Sequence, residues 1–180
     1  QKKARTPHRF AEIQSEPTDA LIIPGATSEH REYIPIEFIN DDTVSANTNQ
    51  TVFDSPIYLF SILSSSLHNL WVKTIAGRLG TGIRYTSLCY NSFPIPALNK
   101  LDKDLLTKMS FDIIDVREKY PDQTYVQLYD PKKMPKSLKK AHIDNDRVVD
   151  KLILGKDELS NKERLSILFK MYSEMEENNA

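Results

Sequence analysis

Hydrophobic and polar residues alternate with two different periods along the chain, and the change of period predicts where strands give way to helices. An apolar run covers residues 20–24, and apolar residues alternate with others in REYIPIEFI, residues 31–39. Both patterns are typical of half-buried strands. Pro35 interrupts the second segment and has no amide hydrogen, so this strand is predicted to lie at a sheet edge or to contain a bulge.

Polar residues fill segment 40–51, which is predicted to be a loop with room for one short strand. After Pro56 the period changes, because apolar residues recur at every third or fourth position. These residues are Ile57, Phe60, Leu63, Leu67, Leu70, Trp71 and Ile75. The spacing predicts one long helix from Ile57 to about Leu79, and a proline suits its first turn. Serines and other polar residues interrupt its hydrophobicity, so it is predicted to be a core helix and not a membrane span.

The second half of the chain, residues 99–180, is predicted to be a small helical bundle. Three amphipathic patterns occur in it, with apolar positions at Leu106, Met109 and Ile113, at Leu138, Ala141, Val148, Val149 and Leu152, and at Leu165, Leu168, Phe169 and Tyr172. Pro121 ends the first pattern and Gly155 ends the second. Ser160 and Glu163 have the spacing of a capping box, which predicts where the last helix begins.

Together these patterns predict an α+β protein whose chain divides near Leu98. Residues 1–98 are predicted to form one domain, built from a mixed sheet and the long core helix. Residues 99–180 are predicted to form a second domain, the helical bundle. A hydrophobic content of 39% is sufficient to supply a core for a chain of 180 residues.

Charge and cysteine content narrow the kinds of site that the chain can carry. The 24 basic and 25 acidic residues leave a net charge of -1, so an electrostatic site must be local. The single cysteine, Cys89, excludes an internal disulfide and is predicted to be a small buried residue. The chain begins at Gln1 without a signal segment, and we expect it to be part of a longer cytoplasmic protein.

Three glycines within six positions mark the segment GRLGTGIRYTSLCYNSFPIP, residues 77–96. A Walker loop requires Gly-Lys-Ser/Thr before a helix, and a dinucleotide-binding loop must follow a strand. Here the glycines follow a helix and no lysine accompanies them. Gly77 or Gly80 is therefore predicted to end that helix.

Histidine and carboxylate spacing gives little support for metal binding or catalysis. The four histidines are scattered without metal-ligand spacing, and one cysteine cannot complete a zinc site, so no metal is predicted. His142 and Asp146 lie one helical turn apart, but no nucleophile lies near them in sequence. We predict a pair on the protein surface. The hypothesis of a free-standing enzyme depends on this pair alone.

A polar and basic cluster surrounds the glycine segment, and it consists of Lys73, Arg78, Thr81, Arg84, Tyr85 and Thr86. Basic residues at a helix end, followed by a strand that places Arg84 and Thr86 on one side, can contact DNA phosphates or base edges. The alternative is a capped helix that leads into an ordinary hairpin. Residue chemistry alone leaves both interpretations open.

The same segment resembles the MmeI-like restriction-modification DNA methyltransferases, in which Gly-Arg-Leu is followed by an Arg-Tyr-Ser type strand and a Tyr-Asn-Asn-Phe-Pro-Trp-Pro run. Upstream, RFAEI, LIIPGATSEHREYIPIEF and SILSSSLHNLWVKTIAGRL are similar to that family's target-recognition domain. Downstream, VREKYPDQTYVQLYDPKKMPKSLKKAHIDNDRVVD and ERLSILFKMY are similar to its C-terminal helical domain. The resemblance spans nearly all of the chain.

This resemblance implies a sequence-recognition module of a site-specific adenine DNA methyltransferase. The parent enzyme transfers a methyl group from S-adenosylmethionine to adenine in double-stranded DNA, and the target base is extruded into a catalytic pocket of the upstream methyltransferase domain. The chain contains neither a cofactor loop nor the Asn-Pro-Pro-aromatic motif, so no cofactor is expected in this part. A protein-interaction or scaffold domain without DNA contact is the alternative, and the neutral charge and the acidic segment SEMEENN are consistent with it.

Roles for individual residues follow from the resemblance. Base-contacting positions of the family fall on Gly80 and Gly82, which have no side chain, so a contact worth about 1–3 kcal/mol per base cannot come from them. Their backbone can approach a groove instead. Glu29 and Asn47 fall near a second pair of base-contacting positions. The remaining candidates for phosphate or base contact are Arg31, Lys73, Arg78, Thr81 and Arg84.

Overall fold

A computed structural model describes residues 18–179, and the RFAEI segment at residues 9–13 lies outside this range. The strands are β1 (Ala20–Ile23), β2 (Ala26–Ser28), β3 (Glu37–Ile39), β4 (Gln50–Phe53), β5 (Arg78–Leu79) and β6 (Gly82–Arg84). The helices are α1 (Ile57–Leu63), α2 (Ser66–Ile75), α3 (Ser87–Asn91), α4 (Lys100–Glu118), α5 (Tyr125–Leu128), α6 (Lys136–Leu154) and α7 (Asn161–Asn179). This order of elements confirms the α+β fold class.

The strands form two separate antiparallel sheets with the orders β3-β1-β4 and β2-β6-β5. This finding corrects the predicted single mixed sheet. The chain changes sheet at Pro24 and Gly25, because β1 and β2 are neighbours in sequence but pair with different partners. β3 lies at an edge, as Pro35 predicts. The short strand predicted within residues 40–51 corresponds to β4, which begins at Gln50 and extends beyond that segment to Phe53.

The long core helix predicted from Ile57 to about Leu79 is in fact two helices, α1 and α2. Ser65 caps α2, since its hydroxyl accepts a hydrogen bond from the amide of His68 at 3.2 Å. Asp146 of α6 accepts a second bond from the amide of Ser66 at 2.8 Å. Buried apolar residues recur on both sides of the break, so the hydrophobic pattern alone cannot reveal it.

Helices α4, α6 and α7 form the predicted bundle and pack against α1 and α2. One buried cluster includes Phe60, Tyr85, Ile113 and Leu138, and the other includes Trp71, Phe93, Leu106 and Leu168. Each cluster draws residues from both halves of the chain. The predicted helix boundaries are confirmed at Gly155, whose φ of 75° ends α6, and at Ser160, whose amide donates to Glu163 at 2.9 Å.

A buried arginine joins the two halves of the chain. Arg117 of α4 donates from Nη1 to the carbonyl of Ile36 at 2.8 Å and from Nε to the hydroxyl of Tyr129 at 2.8 Å. Its guanidinium lies 4.9 Å from the ring centroid of Phe60, and Glu37 lies 3.5 Å away. Hydrogen bonds, a cation–π contact and an ion pair therefore compensate the cost of burying this charge.

His142 and Asp146 are buried, which corrects the prediction of a surface pair. His142 Nε2 hydrogen-bonds the Tyr129 hydroxyl at 2.8 Å, and its ring stacks on Tyr33 with centroids 4.1 Å apart. Asp146 accepts from the Tyr33 hydroxyl at 3.0 Å and from the amide of Ser66. Burial lowers the pKa of His142 well below its usual value. The pair serves packing and helix capping, and gives no support to a free-standing enzyme.

Replacing Asp146 with asparagine is expected to change how stability depends on pH. Burial raises the pKa of Asp146 to about 6, so the folded state holds its proton more tightly than the unfolded state does. The free energy of unfolding of the wild type should therefore rise relative to Asp146→Asn as the pH falls from 7 to 4, by up to about 3 kcal/mol. Urea unfolding at a series of pH values measures this difference.

Asp144→Asn is the matched control, because Asp144 lies on the same helix but pairs with Lys140 outside the buried network. The stability difference from the wild type should change with pH for Asp146→Asn and not for Asp144→Asn. Equal trends in both variants would contradict the proposed effect of burial.

Candidate nucleic-acid interface

The glycine segment forms a hairpin at the end of α2. The helix ends at Ile75 with Ala76 as its C-cap, directly before Gly77, which agrees with the predicted end at Gly77 and corrects the bound of about Leu79, a residue of β5. Gly80 and Thr81 form the two-residue turn between β5 and β6. Gly80 has a φ of 59°, a conformation that glycine adopts without steric cost. The segment is therefore a hairpin and not a phosphate-binding loop.

Side chains alternate between the core and the solvent along β6 and the residue that follows it, Tyr85. Ile83 and Tyr85 are buried, whereas Arg84 between them is exposed. The Tyr85 hydroxyl hydrogen-bonds Nε2 of His68 in α2 at 2.9 Å, which fixes the root of the hairpin to that helix. Thr81 at the turn is also exposed. The hairpin thus presents its turn and one arginine on a supported surface.

Glu29 and Arg78 form an ion pair with each other. Nη1 of Arg78 donates to Oε2 of Glu29, and the two side chains remain 61% (Arg78) and 40% (Glu29) exposed. The hydrogen bond and the charge of Arg78 lower the pKa of the Glu29 carboxyl, which stays ionised. Arg78 thus orients the carboxylate, and each group offsets part of the other's charge.

Lys73 and Asn69 of α2 hold the segment that follows Glu29. Nζ of Lys73 donates to the carbonyl of Arg31 at 2.8 Å, and Nδ2 of Asn69 donates to the carbonyls of Arg31 and Glu32 at 3.0 and 2.7 Å. Burial lowers the pKa of Lys73. The ammonium group of Lys73 is therefore engaged with backbone, while the side chain of Arg31 is partly exposed.

A cleft of about 640 Å³ brings Asn47 and Arg84 together. Its lining comes from three segments: residues 24–26, residues 47–50, which we call the first wall, and residues 84–86, which we call the second wall. Within residues 18–179, the side chains of Asn47 and Arg84 make no hydrogen bond or ion pair with the protein. Both residues line the cleft, where they can contact a ligand.

The candidate residues thus lie in two groups along the small sheet β2-β6-β5. One group surrounds the ion pair of Glu29 with Arg78, and the other lies in the cleft that contains Arg84. Asn49 and Gln50 line the same cleft and were not among the residues predicted from the sequence. The polar run NTNQ, residues 47–50, was the available signal.

No helix within residues 18–179 is both long and apolar enough to cross a bilayer. The described residues contain no cluster of three or more His, Cys, Asp or Glu side chains that could hold a metal ion. The glycines near residues 77–82 turn a hairpin, so this segment does not fit a cofactor loop.

Both halves of the chain match one protein family. Residues 1–97 match the family described as MmeI, target recognition domain. Residues 98–179 match the family described as MmeI, C-terminal domain. Together the two matches cover nearly the whole chain in the family's order.

Two similar proteins are much longer than this chain. A protein named DNA methyltransferase A, from Bacillus subtilis (strain 168), is 40% identical over 177 residues, which cover 98% of this chain and 20% of that protein. The solved structure of the type IIL restriction-modification enzyme MmeI in complex with DNA superposes with a TM-score of 0.91 at 36% identity, and the match covers 98% of this chain and 24% of that one. The chain therefore belongs to the MmeI family and carries that family's target recognition domain followed by its C-terminal domain.

Proposed function

We propose that this chain recognises the target sequence of a site-specific adenine DNA methyltransferase. The observation that carries the proposal is the superposition, over 98% of this chain, on an MmeI structure that contains DNA. The exposed hairpin and the cleft beside it supply a surface with the chemistry that DNA recognition requires. The partner is double-stranded DNA, and the protein acts in the cytoplasm.

Methyl transfer takes place in an upstream methyltransferase domain of the same protein. S-adenosylmethionine, bound there, supplies the methyl group. Extrusion of the target adenine requires that another surface hold the duplex in register. The described residues provide such a surface, and holding and orienting the duplex is the role that we assign to them.

The two domains divide this work between residues 1–98 and residues 99–180. The division is supported by the two family matches, which meet between residues 97 and 98. The first domain contacts DNA. The second domain positions the contacting surface, because Asp146 of α6 binds the first turn of α2, and the other end of α2 leads into the hairpin.

Each contacting side chain has a distinct recognition chemistry. The guanidinium of Arg84 can bind a guanine edge or a phosphate, and the amide of Asn47 can pair with adenine. The carboxylate of Glu29, oriented by Arg78, can accept a hydrogen bond from the amine of cytosine. The supporting contacts come from Arg31, Thr81 and the backbone of Gly80 and Gly82, while Lys73 holds the segment that carries Arg31.

Titration of the full-length protein with a mixed-sequence duplex tests this function. Binding should occur at low salt and weaken as salt rises, with a log–log slope of about -0.9 for each phosphate contact. Sequencing of methylated adenines in cells that carry the full gene should then return one defined motif. Failure of the full-length protein to bind any duplex at low salt would favour the scaffold alternative.

A further inference from the structure

We propose that the cleft beside β6 is a base-contacting subsite in which Asn49 and Gln50 recognise an adenine edge, and that Gly25 sets the width of this cleft. The inference rests on the proposed function of DNA recognition. It deepens that function because it assigns base contact to Asn49 and Gln50, which were not among the candidate residues, and a spacing role to Gly25.

The cleft exists because the two sheets meet at Gly25. Ile23 pairs with Gln50 at the end of the first sheet, and Ala26 pairs with Arg84 in the second sheet. Only two residues of chain separate these pairs. Gln50 and Arg84 therefore stand on opposite walls of one narrow opening.

Gly25 contacts both walls of the cleft through its backbone. Its carbonyl accepts a hydrogen bond from the amide of Tyr85 at 3.0 Å. A Cβ atom at Gly25 would lie 1.7 Å from the carbonyl oxygen of Thr48. The turn above it is closed by a bond from the amide of Asn49 to the carbonyl of Ala46 at 3.0 Å. A side chain at residue 25 must therefore displace this turn and change the separation of the walls.

The amides on the first wall are placed for contact with a base. Asn49 and Gln50 are partly buried, so their side chains lose less freedom on binding than fully exposed ones would. Within the described part of the chain, their amides and that of Asn47 form no side-chain hydrogen bond. Each amide offers a donor and an acceptor, the combination that pairs with N6 and N7 of adenine in the major groove.

The glycines at residues 80 and 82 cannot supply this discrimination, because they have no side chain. The cleft lies close enough to the hairpin turn to provide a base contact in place of the missing side chains. Arg84 lies two residues beyond Gly82 on β6, which corresponds to about 7 Å, or roughly two base-pair steps of DNA. A duplex that contacts the turn can therefore also present a base edge to the cleft.

The test uses the full-length protein with Asn49→Ala, Gln50→Ala and the double variant. Methylation is measured at the preferred site and at every single-base variant of that site. The double variant should lose at least about fivefold discrimination at one or two base positions, and adenine should be the base preferred there by the wild type. Gln123→Ala is the matched control, since it removes an exposed amide from the second domain.

Gly25→Ala tests the geometry of the cleft independently of its amides. It should reduce discrimination at the same base positions, whereas Gly77→Ala should not, because a Cβ at Gly77 meets no atom within 4 Å. If Gly25→Ala fails to fold, the Asn49→Ala and Gln50→Ala variants alone test the inference.

Unchanged discrimination in a folded Asn49→Ala/Gln50→Ala variant would overturn the inference and leave the proposed function intact. A wild-type protein that neither binds nor methylates DNA would instead overturn the proposed function.

Discussion

Arg117→Ala is expected to lower the free energy of unfolding of the 180-residue chain by about 3–5 kcal/mol, because two buried acceptors lose a charged donor, at about 1–3 kcal/mol each, and a large packed side chain is removed. The substitution removes the donors that now serve the hydroxyl of Tyr129 and the carbonyl of Ile36. It also leaves a cavity beside the ring of Phe60. Urea unfolding monitored by circular dichroism measures the loss.

The ion pair with Glu37 should account for little of this effect. Burial raises the pKa of Glu37, and its side chain is 27% exposed at 3.5 Å from the guanidinium. Glu37→Gln should therefore cost about 1 kcal/mol or less, because water can still reach the group. Lys108→Ala, which breaks an exposed ion pair on the same helix, is the surface control. A loss in Glu37→Gln as large as that in Arg117→Ala would show that the ion pair dominates.

Local sequence signals were sufficient for the helical half of the chain. The ends of α6 and α7 depend on a glycine with positive φ and on a capping box, and both signals lie within a few residues of the helix end that they determine. The amphipathic repeats also indicated which face of each helix is buried. These elements were predicted because neighbouring residues alone determine them.

Features that depend on distant residues were not predicted. The break between α1 and α2 involves Asp146, which lies 80 residues beyond Ser66 in sequence. The separation into two sheets depends on strand partners that no local pattern specifies. The burial of His142 likewise depends on Tyr33 and Tyr129, which come from two other segments.

In the candidate site, too, only the features that neighbouring residues determine could be predicted from the sequence. The turn at Gly80 follows from local glycine chemistry, and the resemblance placed it at a DNA-contacting surface. The pairing of Glu29 with Arg78 joins residues 49 positions apart, and only the fold reveals it. The cleft that unites Asn47 with Arg84 also requires the two sheets to meet, so its lining could not be derived from sequence.

Joint replacement of Arg78 and Arg84 by alanine is expected to reduce duplex binding by the full-length protein about tenfold or more, and to lower the salt slope by about two if both contact phosphates. Arg84 carries an exposed charge that is unpaired among residues 18–179, so its loss removes one contact directly. Arg147→Ala, an exposed arginine on α6, is the control and should bind as the wild type does.

The two arginines should differ when they are replaced singly. Arg78→Ala removes a cation and also frees the carboxylate of Glu29, which then repels DNA, so it should weaken binding more than one lost charge explains. Adding Glu29→Gln to Arg78→Ala should restore part of the affinity, whereas adding it to Arg84→Ala should not restore binding to the same extent. Fluorescence anisotropy with a labelled duplex at several salt concentrations measures all four variants. Undiminished binding in the Arg78→Ala/Arg84→Ala protein would remove the hairpin from the DNA interface, because no other change in that variant could compensate for two lost cations.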